Sequence, residues 1–252
     1  MQNSLLMRAR NGLVAAIWQH LLLLVALFFM TLGVTLCVRS DLGSSVISSA
    51  PLAFTIAGEH GLAPALSLGM YTNILDGLLI VGQIIVLRRD FEAVQLFQLV
   101  IGFVFGALID LNMSLTSAME CTTLASRALT QAAGCTVMAF GIALEIRCAS
   151  ITMPGEGLPA AISKVRGIAF ARVKIYIDIA LVAGAVSVGY LFFGKWMWQV
   201  VGAGTLFAMI YVGLAVKTMN RHMGWFDRLL GYGPGIERRV YGLARHIFPS
   251  RN

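Results

Sequence analysis

The chain has 252 residues, 58% of them hydrophobic and only 12% charged, with a formal net charge of +7. A water-soluble domain keeps roughly a quarter of its residues charged, and one of this size has too little interior to hide so much apolar chain. The 19 Lys and Arg residues sit in short clusters beside apolar stretches, which is the pattern of loops between membrane spans rather than a nucleic-acid footprint.

In chain order, residues 1–12 read as a cytoplasmic N-terminus carrying Arg8 and Arg10. The apolar stretch that follows is too long for a secretory signal and ends in no small-residue cleavage site. About twenty apolar residues are needed to cross the hydrocarbon core. Six stretches qualify, at 13–37, 66–87, 94–114, 128–146, 173–193 and 197–216. Lipid offers no partner to exposed backbone, so each is expected to be a helix and the fold all-α. Two further apolar stretches, Val46–Ala57 and Ile151–Ile162, are too short to span and both contain proline. Each reads as a re-entrant segment or as a helix on the membrane surface.

With both termini cytoplasmic, 16 of the 19 basic residues fall inside and only Arg39, Arg127 and Lys195 fall outside. The positive-inside bias selects that orientation, which needs an even number of spans. A bacterial cytoplasmic membrane is the expected location.

The two halves align. Met30-Thr-Leu-Gly33-Val-Thr-Leu36-Cys-Val-Arg39 matches Met138-Ala-Phe-Gly141-Ile-Ala-Leu144-Glu-Ile-Arg147 at an offset of 108, which also pairs Pro51 with Pro159. Asp76 pairs with Asp178 at 102, and Phe97-Gln98 with Trp198-Gln199 at 101. The expected organisation is a three-span repeat at 13–114, a connector at 115–127, a second repeat at 128–217 and a tail at 218–252. Three spans per half make the repeat inverted, an arrangement that recurs in secondary transporters with sites at the repeat interface.

Val38-Arg39-Ser-Asp41-Leu42-Gly43-Ser-Ser, then Gly69-Met-Tyr71-Thr-Asn73, then Gly102 to Asp110, resemble the YczE/YyaS/YitT-type bacterial membrane proteins, whose first span is followed by an Arg-x-Asp/Asn-Leu-Gly-x-x-Pro turn. The resemblance spans residues 13–217. Val46 stands where that proline is expected; the second half carries Cys148-Ala-Ser-Ile in place of the Asp-Leu-Gly element but keeps Pro154. The resemblance implies a membrane fold and, by the usual presumption for that family, transport.

Arg39 and Arg147 end equivalent spans just before the short segments. A guanidinium there either anchors in the headgroups or lines a cavity and holds an anionic group through its fork of donors. Asp41 and Glu156 are the loop carboxylates beside them, and Tyr71 and Asn73 complete the candidate substrate set. Asp76 and Asp178 lie within spans, where a carboxyl is costly to keep charged and suited to carrying a coupling proton. Lys174 stands four residues before Asp178, so a simple salt bridge is the competing reading. Asp110 reads as an interface residue, and Glu145 does not share a helix face with Arg147.

The motifs of zinc proteases, serine hydrolases, P-loop and dinucleotide-binding proteins are missing. No catalytic residue, cofactor, metal or nucleic acid is expected, and the four cysteines read as packing residues. The tail places Val240, Leu243, Ala244 and Ile247 at helical spacing opposite Arg238, Arg239 and Arg245, a pattern for anionic lipids of the inner leaflet. The expected function is transport of a small anionic or zwitterionic molecule, with a homodimer plausible at six spans. The alternative is an accessory protein acting through its tail, and a polar cavity beside Asp76 and Asp178 separates the two.

Overall fold

The computed structural model describes residues 2–148, 152–230 and 243, with side chains from residue 17 onward. Its helices are α1 (Gln2–Arg39), α2 (Val46–Glu59), α3 (Leu68–Leu87), α4 (Phe97–Leu115), α5 (Leu124–Cys148), α6 (Pro154–Arg166), α7 (Phe170–Phe193), α8 (Ala203–His222) and α9 (Gly224–Leu230). There is no strand among the described residues. Among the described residues six helices are long and apolar enough to cross a membrane: Ile17–Arg39, Leu68–Asp90, Ala93–Leu115, Leu124–Cys148, Phe170–Phe193 and Ala203–His222. The protein is an all-α, multi-pass membrane protein. Phe103, Leu191 and Ile210 stand exposed on the span surfaces, as lipid-facing side chains must.

The centre of the bundle is a seam between α1 and α5. A Cβ added at Gly141 would lie 2.5 Å from the backbone nitrogen of Met30, and one at Gly33 would strike that of Met138. At one end of the seam Gln19 Nε2 donates to the Cys148 carbonyl at 2.6 Å, and at the other Gly134 lies against Gly33 and Cys37. As numbering rises along α1 its partners fall along α5, so the two helices run antiparallel. Glycines let two backbones approach closely enough for dispersion to hold helices in lipid, where no hydrophobic drive exists between them. Cys37 and Cys135 meet across this seam with sulfurs 3.8 Å apart, both buried.

The short helices exchange partners between the halves. The short helix α2 packs against α7 and α3, and α6 packs against α3 and α7. Within each half, α4 lies on α1 and α8 lies on α5. Both short helices are interior elements: Pro51, Leu52 and Ala53 of α2 are buried, as are Pro159, Ala160 and Ala161 of α6. Pro154 occupies the first turn of α6, where its missing N–H costs nothing, and Gly167 ends that helix in the left-handed region at φ 66.

The sixth span differs from its expected position. It runs from Ala203, and the apolar residues before it form a turn in which Trp196 Nε1 donates to the Val201 carbonyl at 2.8 Å. That turn docks on the chain after α1: Ser44 N donates to Val200 O at 3.0 Å, and Gly204 N to Leu42 O at 2.8 Å. Gln199 therefore lies exposed in a turn, whereas Gln98 is buried in α4 and accepts from Gln83 Nε2 at 2.9 Å. The sequence pairing of these two glutamines is not a structural one. Of the expected tail, residues 218–230 complete α8 and form α9, and Leu243 is buried beside Leu87, Ala160 and Ala161; the rest, with Val240, Ala244, Ile247 and the arginines opposite them, lies outside the described residues.

Candidate site: an acidic cavity between the halves

A cavity of about 370 Å³ lies where α1, α3, α5, α7 and α8 surround the beginnings of α2 and α6. Residues that the sequence alignment pairs between the two halves line it together: Met30 and Met138, Val34 and Ile142, Ile47 and Gly155, Asp76 and Asp178. The N-termini of α2 and α6 meet there, because a side chain at Gly155 would collide with Ile47. Each such terminus carries unsatisfied N–H groups and an effective charge of about +0.5.

The polar walls are Asp76, Glu156, Lys174, Asp178 and Ser45. Asp76 is only 4% exposed, and its Oδ2 has no hydrogen-bond partner. It fits because α4 carries glycine opposite it: a Cβ at Gly102 would lie 3.0 Å from Asp76 Oδ2. Lys174 Nζ and Asp178 Oδ1 form the ion pair of the competing reading, at 2.5 Å and one helical turn apart. Glu156 stands in the first turn of α6, and burial pushes its carboxyl up from the ordinary range; Lys174 opposes this and Asp178 adds to it.

Three of the expected site residues therefore converge: Asp76, Asp178 and Glu156. The other five are placed elsewhere. Arg39 donates to the Met113 carbonyl at 2.7 Å and to Thr116 Oγ1 at 3.4 Å, holding the C-terminal end of α4. Arg147 donates to the backbone carbonyl of Asn220 and to Asn220 Oδ1 at 3.2 Å, at the C-terminal end of α8, and pairs with Asp227 of α9. Both arginines sit at the negative end of a helix dipole, where a cation is stabilising. Each holds the last span of its own half and neither lines the cavity. Asp41 pairs with Arg127 at 3.2 Å rather than with Arg39. Tyr71 donates to the Pro64 carbonyl at 2.6 Å and stacks on Phe54. Asn73 shares the α4-facing side of α3 with Asp76 and lies against Gly106. Asp110 accepts from Ser67 Oγ at 2.6 Å and from Gly69 N at 2.8 Å, tying α4 to the start of α3.

A family model matches residues 17–221, a stretch that takes in both halves and every wall of the cavity. The chain belongs to DUF6198, a family of unknown function. Neither a curated protein nor a solved structure matches it. The function of this DUF6198 protein is therefore argued from its site alone.

Lys174 belongs to the site, although the sequence marked it only as a salt-bridge partner. The apolar walls Met153, Met209 and Phe105 carried no signal that distinguishes them from other lipid-compatible residues. Met30 and Met138 did carry one, since they head the two aligned blocks.

The arginine contacts make a stability prediction. Removing a charged donor from helix carbonyls costs about 1.5–3 kcal/mol, so Arg147→Gln is expected to lower the unfolding free energy by that amount. Arg39→Gln, with fewer bonds, belongs at the lower end. Thermal unfolding of the detergent-purified variants measures both. Wild-type stability in both variants would return the arginines to a substrate role.

Proposed function

We propose that this DUF6198 protein is a secondary-transporter-like carrier, an inverted repeat of three spans and three, that moves a small molecule by alternating access through the central cavity. One observation carries the reading: repeat-equivalent residues from both halves line a single cavity that holds carboxylates inside the bundle. Antiparallel packing of α1 on α5, with Gly33 and Gly141 in reciprocal contact with Met138 and Met30, supports a twofold relation between the halves. Substrate sites at such repeat interfaces, bounded by the N-termini of interrupted helices, are characteristic of carriers. An accessory role leaves a cavity lined by Asp76 and Asp178 without a purpose.

In this reading α1 and α5 form the hinge, and the halves rock about them. Arg39 and Arg147 keep the last span of each half attached during the motion. The Arg-x-Asp-Leu-Gly turn shared with YczE/YyaS/YitT-type proteins fixes the start of α8: Asp41 has φ 57 and Gly43 φ 120, and a Cβ at Gly43 would lie 2.5 Å from Thr205 Oγ1. The bias of basic residues supports a cytoplasmic side for both termini in a bacterial inner membrane, and the basic residues of the tail suit anionic lipid. The arginines that motivated an anionic substrate are engaged elsewhere, so the charge the cavity favours is positive.

Single cysteines at Met30 and Met138, in a chain whose four native cysteines are replaced, test the mechanism. A membrane-impermeant maleimide applied to sealed vesicles of either orientation is expected to label both positions from both faces. Labelling of each position from one face only, or of neither, would overturn alternating access.

A further inference from the structure

We infer that the cavity takes one monovalent organic cation, an ammonium group on a small apolar body, with Asp76 as its counter-ion, and that this cation exchanges with a proton. The inference rests on the cavity being the substrate site and names what enters it.

Charge is the first argument. When Asp76, Glu156 and Asp178 are ionised, three carboxylates face the Lys174 ammonium and two helix N-termini, the latter worth about +0.5 each. Roughly one negative charge is left over. Asp178 already has Lys174 at 2.5 Å, and Glu156 stands in the first turn of α6 beside the same ammonium. The unmatched charge falls on Asp76, whose Oδ2 has no partner and whose side chain is buried at the cavity wall. One proton balances it, and so does one monovalent cation. A dication overshoots and an anion makes it worse.

Among the described residues, the only other charged side chains lining the cavity are Glu156, Lys174 and Asp178. The helix of Asp76 packs against α2, α4 and α6. Glu156 comes from α6; Asp110 of α4 is occupied by Ser67 and Gly69; Glu59 lies at the far end of α2. Across the cavity α7 supplies Lys174 and Asp178, while α1, α5 and α8 offer only apolar walls.

The walls decide what kind of cation. Met30, Met138, Met153 and Met209 surround the space with Phe105. Thioethers pack adaptably against varied apolar shapes, and an aromatic face attracts an ammonium. Hard metal ions take about six or more oxygens, and among the described residues no three His, Cys, Asp or Glu side chains are grouped so that they could hold one metal ion. The volume of about 370 Å³ is near the lower end of ligand pockets, roughly 300–1,000 Å³, which suits an amine bearing one ring. On arrival of the cation the protonated Asp76 carboxyl gives its proton to water, only that O–H bond breaks, and the cavity's total charge is unchanged.

The test uses the full chain in detergent with benzyltrimethylammonium chloride as probe, and sodium chloride and sodium benzenesulfonate as controls. The expected result is thermal stabilisation by the ammonium alone, with about one proton released per cation bound in weakly buffered solution, as linked binding requires. Asp76→Asn is near-isosteric and removes no bond made by Oδ2, so it is expected to fold and to lose both signals, with binding weakened at least about tenfold. Val212→Phe, which fills the cavity from α8 and leaves every charge in place, is expected to lose binding as well. Retained ammonium binding in either variant, equal stabilisation by sodium chloride, or binding without proton release overturns the inference. Uptake into proteoliposomes is scored separately. Binding with proton release but no uptake upholds the ammonium site and removes the carrier; uptake of the sulfonate without ammonium binding keeps the carrier and overturns the ammonium site.

Discussion

Gly33→Leu and Gly141→Leu are each expected to destabilise the protein by about 3 kcal/mol or more, at the upper end of the range for overpacked sites. At both positions the new side chain meets the opposing helix, at the backbone of Met138 or of Met30, and main chain in the middle of a helix cannot give by rotating away. Relief requires α1 and α5 to separate along the seam that supports α4, α8 and the cavity. The two losses are expected to be similar, because the contacts are reciprocal under exchange of the halves. Gly77 and Gly184 serve as controls: nothing lies within 4 Å of a Cβ at either, so alanine there is expected to be neutral or to gain up to about 1 kcal/mol from helix propensity. Thermal unfolding and size-exclusion profiles of the four variants measure this. A well-folded Gly33→Leu protein, or a large loss at one seam glycine and none at the other, would break the argument for a twofold seam.

The spans were legible because lipid imposes one demand, about twenty apolar residues per crossing, and composition reports it directly. The same measure misplaced the start of the last span. The run around Trp198 to Val201 is as apolar as a helix in lipid, but it is spent on a turn that docks against Leu42 and Ser44, and composition does not distinguish apolar chain facing lipid from apolar chain facing protein. Asp76 and Asp178 were legible for the converse reason: a carboxyl inside an apolar run is expensive and stands out. The arginines were equally conspicuous, yet a helix cap and a substrate ligand occupy the same place at the end of a span. What separates them is the partner, and the Met113 carbonyl lies 74 residues from Arg39 in sequence. Glu156 reads from sequence as the loop carboxylate following Arg147, and its electrostatic neighbours are Lys174 and Asp178, since the position of α6 depends on its packing against α3 and α7.

Lys174→Met is expected to give a protein whose stability falls as the pH rises. Methionine keeps an apolar stem of comparable length, so the change is chiefly one of charge. It leaves Asp178 and Glu156 as like charges in one cavity with no ammonium between them. Breaking a fully buried pair costs about 3–5 kcal/mol; the Lys174 and Asp178 side chains are 30% and 20% exposed, so about 2–3 kcal/mol is expected once solvent screening is allowed for. The sign follows from Glu156, whose folded-state pKa is raised above its ordinary value, by burial first. A carboxyl raised in this way favours the folded state while protonated. Its cost is absent below the ordinary glutamate range and grows as the pH climbs through the folded-state value. Lys174 is what opposes that rise, so its removal lifts Glu156 further and extends the destabilised window upward. Unfolding followed from about pH 4 to about pH 8 is expected to show near wild-type stability at the acidic end and the full deficit at the other. The double variant Lys174→Met with Asp178→Asn removes cation and anion together and is expected to recover most of the loss. A deficit equal at both ends of the pH range, and unrelieved in the double variant, would mean that Lys174 matters for packing rather than for the charge balance of the cavity.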